Sequence, residues 1–347
     1  MIYKSLGKTK INIPPIIFGT SCLGNLYQAL SRQTKLKILK EIFENMPGAA
    51  VLDSAGKYGA GLALEVIGDG LRELNIPVER VVISNKLGWY RVPLTTFEPT
   101  FEPGVWADLK HDAVQKISYD GILQCWEQGR QFLGDIYSPQ LLSVHDPDEY
   151  LNAAPSPADR NKAFDNILDA YKALYELKSK NLTQAIGVGA KDWRVIREIS
   201  RTMDLDWVML AVSYTIYEHP PEIIEFVDEL TEKGIGVFNS AVFHAGFLTG
   251  GRYFDYRVLD ADSAADKHYF TWRDKFFAIC KRFEISPATA CVQFALSHPG
   301  VLSIALNTSK PERMAQNIAS VTTAVPNDFW LAMKEEGLID PDYPFAG

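Results

Sequence analysis

The sequence predicts a single (α/β)₈ barrel of the TIM type, and three observations carry that expectation. Apolar runs with strand character alternate eight times with helical patterns along 347 residues. Several of those runs end in a polar residue capable of acid–base chemistry, as the C-terminal rim of a parallel barrel requires. No stretch rich in Pro, Gly or Ser divides the chain, so residues 1–347 read as one domain.

Residues 2–6 and 10–13 flank Gly7-Lys8 and read as a hairpin able to plug the barrel floor. The strand candidates are 15–18, 49–52, 80–84, 140–144, 184–188, 207–211, 235–239 and 302–306. Helices are expected near 33–46, 61–73, 120–133, 161–180, 192–202, 221–233, 271–297 and 311–320. In the segment 161–180, Phe164, Ile167, Leu168, Tyr171, Leu174, Tyr175 and Leu177 recur at helical spacing. Two stretches leave the repeat, long loops after strands 3 and 7. Residues 87–119 carry Trp89, Tyr90, Phe101 and Trp106, and residues 245–270 carry Tyr253, Phe254 and Tyr256. Loops of this length in a compact domain are usually functional. Both rise from the catalytic face, and Trp89 is a candidate wall of a substrate pocket.

Composition narrows the class of protein. Hydrophobic residues make up 47% and charged residues 22%, the balance of a chain with a full core. The net charge of −8 argues against a nucleic-acid partner. No apolar run approaches the roughly 20 residues that span a bilayer, so no membrane partner is expected. The N-terminus lacks the apolar core of a signal peptide, and Cys22, Cys125, Cys280 and Cys291 are widely spaced. A cytoplasmic enzyme, monomeric or a small homo-oligomer, acting on a small molecule is the expectation.

Four residues carry the chemistry. Ala49-Ala50-Val51-Leu52 runs into Asp53, and Tyr58 follows within Asp53-Ser54-Ala55-Gly56-Lys57-Tyr58-Gly59. Val81-Val82-Ile83-Ser84 runs towards Lys86, and Leu141-Leu142-Ser143-Val144 runs into His145. A tyrosine can exchange a proton with a substrate oxygen, but its usual pKa near 10 is too high for efficient exchange at neutral pH. An ammonium at Lys86 would favour the phenolate, and Asp53 would keep Lys86 charged and oriented. His145 would hydrogen-bond the substrate oxygen beside Tyr58. Taken singly, each residue has a plain structural explanation as a turn former, a solvated end or a satisfied polar group. Their joint placement at strand ends is what points to a site.

In order and spacing these residues resemble the catalytic tetrad of the aldo-keto reductases, over nearly the whole chain. The supporting motifs are the Asp53–Gly59 run, Ser84-Asn85-Lys86, Val144-His145-Asp146, Ile186-Gly187-Val188-Gly189, and the stretch from Asn307 to Asn317. The resemblance implies hydride transfer to or from a nicotinamide, with Tyr58 as acid or base and Tyr58, His145 and Trp89 facing the substrate. It implies cofactor contacts at Gly19, Thr20, Asp53, Gly189, Tyr214, Ser240, Leu248, Asn307, Thr308, Ser309, Arg313, Gln316 and Asn317, with no metal. Tyr119-Asp120-Gly121-Ile122-Leu123, His145-Asp146-Pro147-Asp148 and the run from Asn239 to Gly251 are similar to the sugar 1-dehydrogenases acting on L-fucose, L-galactose and D-threo-aldoses. Those enzymes oxidise an aldose at C1 to its lactone; pyridoxal 4-dehydrogenase and general carbonyl reductases stand close by.

Two departures bear on the cofactor. Gly189-Ala190-Lys191 replaces the Ser-Asn that many members use to grip the carboxamide. Asn307 stands where a Lys often meets the NADP 2′-phosphate, and Gln316 where the family has Glu. With one cation gone, NAD is the expected cofactor over NADP, although Arg313 remains able to grip a phosphate. Tyr214 has two explanations, a neighbour of the nicotinamide ring or a core aromatic. Gly59-Ala60-Gly61 imitates the opening of a G-x-G-x-x-G motif, but Leu64 holds the third glycine position. Two rivals of other classes remain, a Schiff-base lyase using Lys86 and a non-catalytic nicotinamide-sensing subunit.

Overall fold

The computed structural model describes residues 1–255 and 257–346; Tyr256 of the second aromatic stretch and Gly347 lie outside the described residues. Among the described residues, eight parallel strands close into a barrel. They are β1 (Ile16–Gly19), β2 (Ala50–Ala55), β3 (Val81–Leu87), β4 (Leu141–His145), β5 (Ala185–Ala190), β6 (Trp207–Ala211), β7 (Gly236–Ser240) and β8 (Val301–Leu306). Each pairs with its neighbours in sequence, and Ile304 of β8 opposite Ile16 of β1 completes the ring. Strands β2, β4 and β5 are buried at every position. Their near-continuous apolar runs reflect burial on both faces.

The helices are α1 (Arg32–Asn45), α2 (Leu62–Glu73), α3 (Tyr119–Leu133), α4 (Pro147–Asn152), α5 (Pro157–Ser179), α6 (Trp193–Thr202), α7 (Pro221–Glu232), α8 (Lys267–Arg282), α9 (Pro287–Ala295), α10 (Met314–Ser320) and α11 (Asn327–Glu335). The expected helix 271–297 is two helices. Glu284 turns left-handed at φ 57°. Ser286 then caps α9, its hydroxyl accepting from the Thr289 N–H at 3.0 Å. Apolar spacing runs across this break and hides it, whereas Ser286-Pro287 is a helix-start signal. Helix α5 begins at Pro157 under the Ser156 cap, earlier than its apolar face suggests. Helices α4 and α11 were not anticipated; α11 sends Phe329, Trp330 and Met333 into the outer core.

Lys4–Ser5 pairs antiparallel with Asn12–Ile13, forming the expected hairpin. Its Leu6, Ile11 and Ile13 join Ile17, Val51, Leu141, Trp207 and Phe238 in one buried cluster that fills the barrel interior. Trp207 lies so close to Gly187 that a Cβ there would sit 2.2 Å from the indole ring. The two long stretches are more ordered than loops. The first contains an antiparallel ribbon, Trp89–Pro93 against His111–Gln115. The second holds a two-residue pair, Tyr253–Phe254 against Arg257–Val258. No described helix is long and apolar enough to cross a membrane. All four cysteines are free and buried.

Candidate active site

Asp53 and Lys86 meet beneath the barrel mouth because their strands are neighbours in register, with Asp53 opposite Ser84 and Ala55 opposite Lys86. The Asp53 carboxylate accepts from the Ser84 hydroxyl at 3.0 Å and forms a short ion pair with the Lys86 ammonium. Both side chains are almost fully buried. Burial works against the Lys86 charge, but Asp53 and Tyr58 outweigh it and hold the ammonium above its ordinary value. The ammonium lies 4.9 Å from the centre of the Tyr58 ring.

Tyr58 reaches this point on a tight turn after β2, where its N–H donates to the Ala55 carbonyl at 3.1 Å. The turn is crossed by the segment after β1 so closely that a Cβ on Gly24 would fall 2.6 Å from the Tyr58 carbonyl carbon. Gly59, at φ +63°, faces Gly24 from the other side of that crossing. Burial pushes the Tyr58 phenol up to about 12, and the attraction of Lys86 does not overcome it. Lys86 does favour the phenolate, as the sequence suggests, but desolvation is the larger effect and the net shift is upward.

His145 ends β4 with its ring edge-on to Tyr58, the centroids 5.6 Å apart. Burial, then the charges of Lys57 and Lys86, lower it well below the usual imidazole value, so the ring is neutral at physiological pH. Among the described residues His145 Nδ1 has no hydrogen-bond partner. Trp89 starts the antiparallel ribbon, and its ring lies 5.3 Å from the Lys57 ammonium. Its ring packs on that of Phe101, with the centroids 5.7 Å apart. The aromatic group against Tyr58 is Trp106, at 5.9 Å, backed in turn by Phe101.

The cofactor residues expected from sequence are mostly gathered on the same rim. Gly19, at the end of β1, faces Asn307, and a Cβ there would lie 3.3 Å from the asparagine Cβ. The Thr20 hydroxyl donates to the Asp53 carbonyl at 2.9 Å. Gly189 lies in β5, Ser240 ends β7, and Leu248 is buried in the turn Phe247–Thr249. Asn307 is exposed and donates to Ser21 Oγ at 2.8 Å. Thr308 and Ser309 continue that turn; Arg313 and Gln316 are exposed and Asn317 is half-buried. Tyr214 does not belong to this surface. It is fully buried, its hydroxyl bonded to that of Tyr343 and its ring against Phe294, which makes it a core aromatic. Lys191, the departure after β5, bonds Glu149 at 2.7 Å, while its N–H donates to Asp148. The strand-5 loop is thus tied to α4.

Sequence reasoning singled out neither Lys57 nor Glu149, and it named Asp146 and Trp106 only within longer runs. Lys57 is only 3% exposed yet charged, and that combination was invisible before its partners were placed. The Ser213 hydroxyl, just past β6, is also buried without a partner among the described residues. Together with the bare Gly19 surface, this leaves polar capacity on the rim that suits a dinucleotide.

A tyrosine, a lysine and a histidine converging at the mouth of a parallel barrel are the arrangement of a cofactor-dependent barrel oxidoreductase. The aldo/keto reductase family pattern matches residues 15–336. The chain belongs to that family, whose members are oxidoreductases that use NAD(P)H and act on small molecules. It is similar to pyridoxal 4-dehydrogenase of Microbacterium luteolum, with 30% identity over 97% of each chain. It is also similar to D-threo-aldose 1-dehydrogenase of a Pseudomonas species, with 26% identity over 94% of this chain and 95% of the relative. In fold it resembles an aldo-keto reductase from Bacillus halodurans at a TM-score of 0.70 and 19% identity, covering 98% and 97% of the two chains.

Proposed function

We propose that residues 1–347 form one catalytic domain that oxidises a cyclic hemiacetal, such as L-fucose, L-galactose or a D-threo-aldose, to its lactone. The observation that carries this is the Asp53–Lys86–Tyr58–His145 cluster under an aromatic wall. A bound nicotinamide, NAD by preference, would supply the hydride acceptor. Gly19, Thr20, Gly189, Ser240, Leu248, Asn307, Thr308, Ser309, Arg313, Gln316 and Asn317 are the residues proposed to hold it.

Tyr58 takes the hydroxyl proton as the phenolate, a form that Lys86, kept charged by Asp53, favours, and becomes the neutral phenol. The neutral His145 offers the same oxygen a hydrogen bond without competing for the proton. Lys86 held charged is the opposite of what a Schiff-base nucleophile needs, which weighs against a lyase.

A second substrate is favoured by the 30% identity to pyridoxal 4-dehydrogenase. Pyridoxal closes on its own hydroxymethyl group to a cyclic hemiacetal, so the bond chemistry is the same, and Trp106 suits a flat ring. The deciding experiment is a panel of aldoses and pyridoxal with NAD⁺ and NADP⁺, followed at 340 nm. Turnover of an aldose but not pyridoxal supports the sugar assignment; the converse replaces it. NADH binding without turnover of any of them points to the sensing subunit.

A further inference from the structure

We propose that Lys57 is a positioning residue for the reaction: one buried ammonium that holds Asp146 against His145 and, through Glu102, seats Trp106 on the ring of Tyr58. Three carboxylates from two parts of the fold converge on it, one from the first long excursion and two from the start of α4. Glu102, from the first long excursion, lies at 2.8 Å, Glu149 of α4 at 2.9 Å, and Asp146 at 3.3 Å. Each of two arms then leads back to a residue of the proposed proton relay.

The first arm is short. Asp146 Oδ2 is 3.3 Å from Lys57 and 3.4 Å from His145 Nε2, so one carboxylate bridges the ammonium and the imidazole. The second arm runs through the loop. Glu102 meets Lys57 with Oε1 and accepts from the Trp106 indole N–H with Oε2 at 2.7 Å. Trp106 in turn lies against Tyr58. The wall facing the substrate and the group holding the proton are thereby set by the same cation.

A role in stability alone explains Lys57 poorly. Desolvating an ammonium is costly, and a buried ion pair often contributes little against an apolar replacement of similar size. What the ion pairs supply, and methionine cannot, is direction. The inference rests on Tyr58 and His145 being the proton-handling pair. The charged and titratable groups around His145 are Lys57 and Tyr58 from the turn after β2, Lys86 from β3, Asp146 and Glu149 on its own side, and Lys191 from the loop after β5. Removing Lys57 takes a cation away and leaves Asp146 and Glu149 less compensated, and both changes favour imidazolium.

The test compares wild type with Lys57→Met, Lys57→Arg, Glu102→Gln and Tyr58→Phe, each of full length. NMR of protein labelled with ¹⁵N-histidine reads the His145 titration without any substrate, and steady-state kinetics use L-fucose or pyridoxal, whichever turns over. Lys57→Met is expected to move the His145 transition up by at least about one pH unit and to raise KM at least about tenfold. Lys57→Arg keeps the charge and the wild-type transition. Glu102→Gln cuts only the Trp106 arm, so KM rises while the transition stays in place. A folded Lys57→Met with wild-type transition and KM overturns the proposal. Should that variant fail to fold, an unchanged KM in Glu102→Gln overturns it instead. Tyr58→Phe with wild-type kcat would sink the relay while leaving the NMR result on Lys57 standing.

Discussion

The strand ends beneath the mouth and the loops above it are held in place by different means. Asp53, Ser84 and Lys86 sit inside β2 and β3, and the strand ladder sets their spacing. Glu102 and Trp106 sit on a long excursion fixed at separate points: the Lys57 ion pair, a bridge between Leu26 and Trp106, and hydrogen bonds from Thr100 to Asp112. The excursion after β7 is pinned through His244, which bonds Thr215 at 2.8 Å on one side and Asp255 at 3.0 Å on the other. Moving a strand residue means breaking a barrel. Moving a loop residue means breaking one or two contacts. Proton transfer tolerates little displacement, so it belongs on the strands, whereas recognition of a particular substrate can be rebuilt by changing a loop.

That contrast is most exposed at Tyr58, which sits on a turn but works with the strands. Tyr58→Phe is expected to leave NADH binding within about twofold while lowering kcat at least about 10²-fold, because only the proton relay is lost. Retention of more than half of wild-type kcat would place the chemistry elsewhere. On the rim the expected effect is smaller. Asn307 gives the 2′-phosphate a hydrogen bond but no compensating cation, so kcat/KM should be higher with NAD⁺ than with NADP⁺. Asn307→Lys should move that ratio towards NADP⁺ by about 1–2 kcal/mol, the scale of one charge-assisted hydrogen bond. Arg313 and Lys310, both exposed on the same stretch, are the competing cations. If wild type prefers NADP⁺ and Arg313→Ala abolishes the preference, the guanidinium reads the phosphate.

The smallest effect concerns the loop ties. Burial opposes ionisation of Glu149, but Lys191 and Lys57 hold its carboxyl down to about 2, below its usual 4.5. On acidification the unfolded chain therefore takes up this proton first. Stability from Glu149 is complete above about pH 4.5 and is lost as pH falls towards about 2. Glu149→Gln should melt below wild type at pH 7, with the gap narrowing below about pH 4.5 and closing towards pH 2. A gap of constant size across that range would separate Glu149 from the acid response.

The difference between strands and loops also decides what could be read beforehand. Asp53, Lys86 and His145 were legible because an apolar run followed by a polar residue is a local pattern, and parallel pairing does the rest. Tyr58 was legible only through a spacing shared with a family. Lys57 was not, because its environment comes from Asp146, 89 residues away. The fate of Tyr214 depended on a partner more distant still, Tyr343, 129 residues further along. The net direction of the Tyr58 shift escaped for a related reason. The cation beside it could be guessed from sequence, but the depth of burial could not.

The N-terminal hairpin has a kinetic consequence. Leu6, Ile11 and Ile13 stopper one end of the barrel, so every molecule that visits the catalytic residues enters and departs through the opposite doorway. Two reactants sharing one doorway form a queue. Whichever lies deeper must arrive first and leave last, and its departure sets a ceiling on turnover that no improvement in the chemistry can lift.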